Sequence, residues 1–398
     1  MEIFNIRVGF HYHVPIYQTN DGSFKTASYF GVFLDSIAEN CTELYGFLYC
    51  ALESEKEKCN YTLISNNFIW VNLGPHDSIP SRYLRIRHTI ESFKKYEPII
   101  DVFLIRTPTP LIIALTRILP LKKTAIYIVG DYTVSKNLDV KQPKKLFIQI
   151  LYYFMNSAEI NFSKKCGLIV TNSQNLYDKF NLLSEKVRLV KSTSVSLRDF
   201  YIRKDTIKSK TINLLYTGRF DPIKNIPLII ESVKELNDEG IEVYFNMACT
   251  IDKYTVKYIE LLKLLIKNLG VEDKVIFHGQ KSIGKELNNI YRSCDIFILA
   301  SSTEGFPRSI WDAMANSMPV IATTVGSIPH FLKNNIHALL IKPNDKNEIK
   351  NAIRKLINNN ELRENLIKNG YELALDNTLE LQGKRMVQVL DNYKNKLV

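Results

Sequence analysis

The sequence predicts an α/β protein made of two parallel-sheet domains. Three observations predict it. The chain has 398 residues, and at roughly 100–200 residues per domain that length suits two. Short apolar, β-branched runs alternate with amphipathic helical stretches in both halves, the pattern of βαβ units. One polar, highly charged stretch near the middle, Ile202–Lys210 (IRKDTIKSK), lacks apolar periodicity, as a linker does.

In the first half the strand-like runs are Ile6–His11, Leu44–Tyr49, Phe68–Leu73, Val102–Arg106, Ala125–Val129, Leu168–Asn172 and Val187–Val190. In the second half they are Ile212–Thr217, Val243–Ala248, Val275–His278, Ile296–Ala300, Val320–Thr323 and Ala338–Ile341. Helical patterns lie between them, as at Ile226–Leu236, Tyr254–Leu269, Lys285–Ser293 and Glu348–Ile357. Crossovers between parallel strands should be right-handed. The expected domains are 1–205 and 211–377, with a cleft between the C-terminal edges of their strands, where open α/β sheets bind ligands. Leu379–Leu397 reads as one more helix after the second sheet is complete, placed to pack back on the first domain.

Composition narrows the classes. Hydrophobic residues make up 45% and charged residues 23%, an ordinary globular balance that excludes disordered, collagen-like and disulfide-scaffold chains. No uncharged apolar run reaches membrane-spanning length. The opening MEIFNIRVGFHYH has no basic lead, apolar run or cleavage site, so a cytoplasmic protein is expected. Six cysteines form no C-x-x-C pair and seven histidines are scattered, which fits reduced thiols and no metal site. The net charge of +11 suits phosphates, anionic lipid or nucleic acid. It equally suits a chain biased throughout toward Lys, Asn and Ile. Nucleic-acid binding rests on charge alone and is not expected.

The strongest local signal is LLYTGRFDPIKNIPLIIESVKEL, from Leu214 to Leu236. A strand ends at Thr217, Gly218 allows a tight turn, and Arg219 and Lys224 follow in one loop. Asn225 could cap the helix, with Pro227 in its first turn. A planar guanidinium and a mobile ammonium at a strand end are what a diphosphate needs; the plain reading is a solvated basic loop. The second signal is SSTEGFPRSIWDAMANSMPVIATTVGSIPHFL, from Ser301 to Leu332. Its loop carries Glu304, Gly305, Phe306 and Pro307, and a helix begins near Arg308 or Ser309, where free N–H groups suit a phosphate. Glu304, unable to pair with its neighbours, would accept ligand hydroxyls; the plain reading is a surface acid. Asp312 completes Ser309-x-x-Asp312, a capping-box variant on the plain reading.

TGRFDPIKN and EGFPRSIWDAMA stand about 85 residues apart, with Asp295 in SCDIFILASS and Gly326 in PVIATTVGSIPHFL. Together they resemble the retaining glycosyltransferases of family 4, over about Ile212 to Ala374. That resemblance implies the GT-B fold, two facing Rossmann-like domains. It implies that Arg219 and Lys224 hold the diphosphate of a nucleotide sugar, with Glu304 on the donor-sugar hydroxyls. Amides around Phe306–Ser309 would touch sugar and phosphate. Asp312 stands where relatives carry a ribose-binding Glu, one methylene longer. The base would meet Gly279–Lys281. The donor is of UDP or GDP type, and no cofactor or metal is expected beside it.

The first half matches in outline only. Where the family shows a Gly pair after strand one, this chain has a long loop with Gly22 alone. Where it often shows His-Asp, this chain has Gly130-Asp131, so Asp131 matches and the sugar-contacting His is missing. A turn glycine and a helix-cap acid are the plain readings of Gly22 and Asp131. His11 and His13 share a strand face and read as packed or solvent-facing. Lys141–Lys165 sets an apolar, aromatic helix between basic ends, and Pro108–Leu121 is also unusually apolar. Each is a core helix or a surface for an anionic bilayer. The second reading makes the acceptor a lipid-linked glycan of capsule or O-antigen type. The expected function is retaining, metal-independent transfer to a glycan acceptor. A GT-B epimerase or hydrolase and a non-catalytic donor-binding subunit are the alternatives.

Overall fold

The computed structural model describes residues 3–130, 144–250 and 255–397. The chain divides into two compact units, residues 1–192 with 380–398, and residues 193–379.

The first unit contains β1 (Phe4–His11), β2 (Ile16–Gln18), β3 (Phe24–Thr26), β4 (Cys41–Cys50), β5 (Tyr61–Thr62), β6 (Phe68–Pro75), β7 (Val102–Thr107), β8 (Thr124–Ile128), β9 (Leu168–Thr171) and β10 (Val187–Leu189). The parallel core runs β10-β9-β8-β7-β1-β4-β6. This is doubly wound order, reversing direction between β1 and β7. Both faces are covered. Leu44 and Leu48 of β4 join one apolar cluster with Val8, Phe10 and Leu34, while Tyr45, Phe47 and Tyr49 join another with Phe93, Phe103 and Ile112. Burial on both sides explains why these strands read as continuous apolar runs rather than alternating ones.

The helix Leu379–Lys394 closes this unit, with Met386, Val387 and Leu390 in the first of those clusters. The approach is close: a Cβ on Gly383 would meet the Ser36 carbonyl oxygen at 2.1 Å. The sequence pattern missed β2, β3 and β5. They form a small antiparallel ribbon attached to β4 through Ile16 and Cys50.

The second unit contains β11 (Ile212–Arg219), β12 (Val243–Thr250), β13 (Val275–Phe277), β14 (Ile296–Leu299), β15 (Val320–Thr323) and β16 (Leu339–Ile341). All are parallel, in the order β13-β12-β11-β14-β15-β16, reversing between β11 and β14. One apolar core serves the unit, with Trp311 fully buried in it.

The unit boundary falls earlier in the chain than the charged stretch at 202–210. Polar residues here are stitches rather than a solvated tether. Asp199 accepts from the Asn288 amide at 2.7 Å. Arg203 donates to the carbonyls of Tyr291, Arg292 and Asn316. Asp205 pairs with the buried Arg363 at 2.7 Å. Residues 193–205 therefore belong to the second unit, not to a first domain ending at 205. All six cysteines are free thiols. No helix among the described residues is long and apolar enough to cross a membrane.

Candidate functional site

In the second unit, strand order reverses between β11 and β14, and open α/β sheets bind ligands outside the C-terminal strand ends at such a point. β11 ends on Thr217, Gly218 and Arg219. Gly218 holds φ at +154°, and a Cβ there would come within 2.7 Å of the Tyr216 hydroxyl. That hydroxyl donates to the Arg219 carbonyl at 2.8 Å. Burial pushes the Tyr216 phenol well above its ordinary pKa, with the Glu304 carboxylate adding to the shift and Arg219 opposing it. The three groups are thus electrostatic neighbours.

A short 3-10 turn, Pro222–Lys224, follows, its Ile223 N–H held by the Asp221 side chain at 3.1 Å. It delivers Lys224 to Glu304: the ammonium donates to Glu304 Oε1 at 2.5 Å, with the side chains only 11% and 9% exposed. Ser301 Oγ donates to the same oxygen at 2.7 Å. The expectation that Glu304 cannot pair with its neighbours is therefore corrected. Sequence distance hid the partner, which lies on the other side of the strand reversal.

Two further contacts fix the Glu304 loop. Ser302 N–H donates to the Ile223 carbonyl at 2.7 Å, and Ser327 N–H to the Gly305 carbonyl at 2.8 Å. Gly326, at φ +57°, backs onto the same loop so closely that a Cβ would sit 1.8 Å from the Glu304 carbonyl oxygen. Asn225 is not a side-chain cap for the helix Ile226–Asp238. It takes a left-handed conformation, and its amide bonds the Ala300 carbonyl and Asn344 instead.

The helix Arg308–Ala315 begins after Pro307 in extended conformation, and no side chain caps it. The capping-box reading of Ser309 and Asp312 is therefore corrected: Asp312 turns to Ser194, whose hydroxyl donates to its carboxylate at 3.2 Å. Burial pushes the Asp312 carboxyl up to about 7, against the pull of Arg308 and the Ser194 bond. Phe306 packs inward, stacked on Trp311 at 4.5 Å and edge-on to Phe331 at 5.1 Å. Asp295 sits at the opposite end of β14, where it accepts from the Asn213 backbone amide at 2.7 Å. Gly279 follows β13 with φ +71°, its carbonyl accepting from Cys249.

The structure thus brings Gly218, Arg219, Lys224, Glu304 and Gly305 to one sheet edge. The Arg219 guanidinium is exposed and makes no hydrogen bond or ion pair to other described residues. Lys224 has three N–H donors, and Glu304 takes one. Together they can neutralise a diphosphate. Sequence reasoning missed Ser301 and Ser194; a serine three residues before Glu304 was the one available signal. Among the described residues no cluster of His, Cys, Asp or Glu could hold a metal ion.

In the first unit, Gly22 is the exposed turn of the β2–β3 ribbon at φ +85°, its N–H donating to Thr19. Its glycine serves that turn. Asp131 lies outside the described residues. His11 is buried, bonded to the Phe47 carbonyl at 2.8 Å, with burial lowering its pKa to about 4. The helix Lys144–Lys165 has two apolar faces. Met155 and Phe162 are buried, while Leu146, Ile150, Tyr153 and Phe154 are exposed along the other side.

Residues 198–373 match the family described as glycosyl transferases group 1. An uncharacterized glycosyltransferase of Methanocaldococcus jannaschii is 32% identical over 160 residues, 40% of this chain and 42% of that protein. The O-antigen chain mannosyltransferase RfbU of Salmonella typhimurium is 27% identical over 215 residues, 53% of this chain and 56% of that protein. The chain thus spans about half the length of these relatives. Sucrose-phosphate synthase from Thermosynechococcus elongatus superposes with TM-score 0.73 at 17% identity, covering 98% of this chain and 99% of that one. The Anabaena protein HepE in complex with UDP superposes with TM-score 0.69 at 14% identity, covering 98% and 100%. The chain is therefore an α/β protein with the GT-B type of fold, and its residues 198–373 match the glycosyl transferases group 1.

Proposed function

We propose that this protein is a retaining glycosyltransferase of the family-4 type. It moves a sugar from a nucleoside-diphosphate sugar to a glycan or lipid-linked glycan acceptor in surface polysaccharide synthesis of O-antigen or capsule kind. The observation that carries this reading is the Lys224–Glu304 pair beside Arg219 where strand order reverses. The likeness to a UDP complex supports a nucleoside diphosphate at this edge, and the likeness to RfbU supports a polysaccharide product.

On this reading the donor's diphosphate lies against Arg219 and Lys224, with the uncapped start of Arg308–Ala315 and the Ser309 amide adding N–H donors. Glu304 holds Lys224 in place and offers its second oxygen to a donor-sugar hydroxyl. Asp312 reaches the ribose, and the base lies along Gly279–Lys281. The bond from sugar C1 to the β-phosphate oxygen breaks as the acceptor oxygen bonds C1 on the same face. The acceptor proton passes to a phosphate oxygen. Charge gathers on the leaving diphosphate, and preorganised cations lower the barrier by meeting it. These cations do the neutralising work a metal does elsewhere, so transfer should persist in EDTA. Gly130 in place of the family's His changes the donor-sugar contact. The exposed apolar face of Lys144–Lys165 suits a peripheral site on an anionic bilayer, where a lipid-linked acceptor would be met.

The test is a panel of nucleotide sugars incubated with wild type and Arg219→Ala, with and without lipid-linked acceptor. Acceptor-dependent release of nucleoside diphosphate that falls about 100- to 1000-fold in the variant supports the reading. A sugar altered without acceptor would make it an epimerase. Activity within a few fold of wild type in Arg219→Ala would overturn the assignment.

A further inference from the structure

The first unit has its own reversal of strand order, between β1 and β7. Open parallel sheets bind ligands outside the strand ends at such a point. What the chain places there is basic. Arg106 is one residue beyond Ile105, the partner of His11 in the ladder. Its guanidinium lies over three aromatic rings, 4.7 Å from the centre of Tyr12, 5.1 Å from Phe33 and 5.7 Å from Tyr127. Its Nε is buried without a hydrogen-bond partner, and among the described residues no carboxylate reaches it.

The surroundings repeat the pattern. His13 packs against Tyr12, ring centres 4.2 Å apart, and its Nδ1 is buried without a partner. Burial lowers the His13 pKa to about 3, with His11, His76, Arg82 and Arg106 adding to the shift. His13 is therefore neutral at pH 7, and one ring nitrogen donates while the other accepts. His76 gives Nδ1 to Glu55 at 2.8 Å, and its Nε2 is buried without a partner. Arg82 is buried, stacked 4.9 Å from the Tyr49 ring, with Nε donating to the Asp77 carbonyl. Of the acids nearby, Glu55 pairs with His76, and Asp77 pairs with Arg85 through Oδ2 while its Oδ1 is buried without a partner.

The Arg106 guanidinium is half-buried, its Nε is buried without a partner, and no carboxylate of the described residues meets it, a desolvation cost that ring faces offset only in part. Buried imidazole nitrogens without partners add to it. One ligand class answers both needs: an anionic group for the planar fork of Arg106 and hydroxyls for the unpartnered imidazole nitrogens of His13 and His76. We propose that this sheet edge is a subsite for an anionic sugar, in which Arg106 takes a phosphate or carboxylate and His13 and His76 bond its hydroxyls. As the acceptor subsite it rests on the transferase reading; as a binding site it stands on the first unit alone.

The test is calorimetric titration of the full-length protein with glucose 6-phosphate, glucuronate, glucose and inorganic phosphate, with UDP titrated in parallel as the readout of the other site. At least one anionic sugar should bind at least tenfold tighter than glucose. Arg106→Gln should weaken it at least tenfold without changing UDP affinity. Arg106→Lys keeps the charge over the rings and loses the fork; it should weaken binding at least threefold, and it serves where Arg106→Gln does not fold. His13→Ala should weaken the sugar more than inorganic phosphate. Failure of both anionic sugars to bind, or unchanged affinity in a folded Arg106 variant, would overturn the proposal whether or not UDP binds. Inorganic phosphate binding as tightly as the sugars, indifferent to His13→Ala, would overturn its sugar half.

Discussion

Removing the Lys224 ammonium should destabilise the second unit even without ligand. At 2.5 Å from Glu304 Oε1 and an effective dielectric of about 20, the gross attraction is about 7 kcal/mol. Both side chains are about nine-tenths buried, so desolvation takes back most of it. The net value should be that of a charged hydrogen bond, about 1.5–3 kcal/mol. Lys224→Ala leaves the Glu304 carboxylate with Ser301 alone and should cost about 2–3 kcal/mol. Glu304→Gln should cost somewhat less, because the amide still accepts from Ser301. The double variant should be more stable than the sum of the singles implies, by about 1.5–3 kcal/mol. Urea denaturation can read this through Trp311, buried in the second unit, in a Trp70→Phe background that silences the other tryptophan. Costs that add within about 0.5 kcal/mol would show that the pair does not hold Lys224, and the donor-site geometry built on it would fall.

Three other outcomes follow from the same contacts. The Asp312 carboxyl, raised from its ordinary 3.8 to about 7, keeps a proton in the folded chain that the unfolded chain releases. Stability should therefore fall as pH rises from about 4 to about 7 and level off above. Asp312→Asn should flatten that slope and gain at most about 4 kcal/mol at pH 8, measured by denaturation at pH 5 and pH 8; an unchanged slope would contradict it. Gly326→Ala meets both a φ of +57° and the Glu304 carbonyl, so it should cost at least about 2 kcal/mol and disable the donor loop. A melting temperature and UDP affinity equal to wild type would refute that. Vesicles rich in anionic lipid should carry the protein upward in flotation at moderate salt, and Tyr153→Ser with Phe154→Ser should release it. Absence of flotation would remove the bilayer contact.

Much of the fold was legible because strands buried on both faces must be apolar throughout. Every apolar run named from the sequence overlaps a strand. The ribbon at Ile16–Gln18, Phe24–Thr26 and Tyr61–Thr62 was not legible: three-residue pairings on a sheet edge carry no periodic signal. The boundary at 192 was hidden for a different reason. Arg203 and Asp205 look like linker charges, and only their partners Tyr291, Asn316 and Arg363 show them to be structural. In the site, Gly218, Arg219 and Lys224 could be placed by their position after an apolar strand. The Lys224–Glu304 pair and the turn of Asp312 toward Ser194 could not, since each joins residues far apart in sequence. Arg106 and His13 carried no motif, and their setting among aromatic rings exists only in the folded chain.

The most direct measurement is calorimetric titration of UDP and GDP into wild type, Arg219→Ala and Lys224→Ala. At least one nucleoside diphosphate should bind the wild type, and each alanine should weaken it at least tenfold. Binding that survives both substitutions unchanged, or no binding of either nucleotide to the folded protein, would contradict the account.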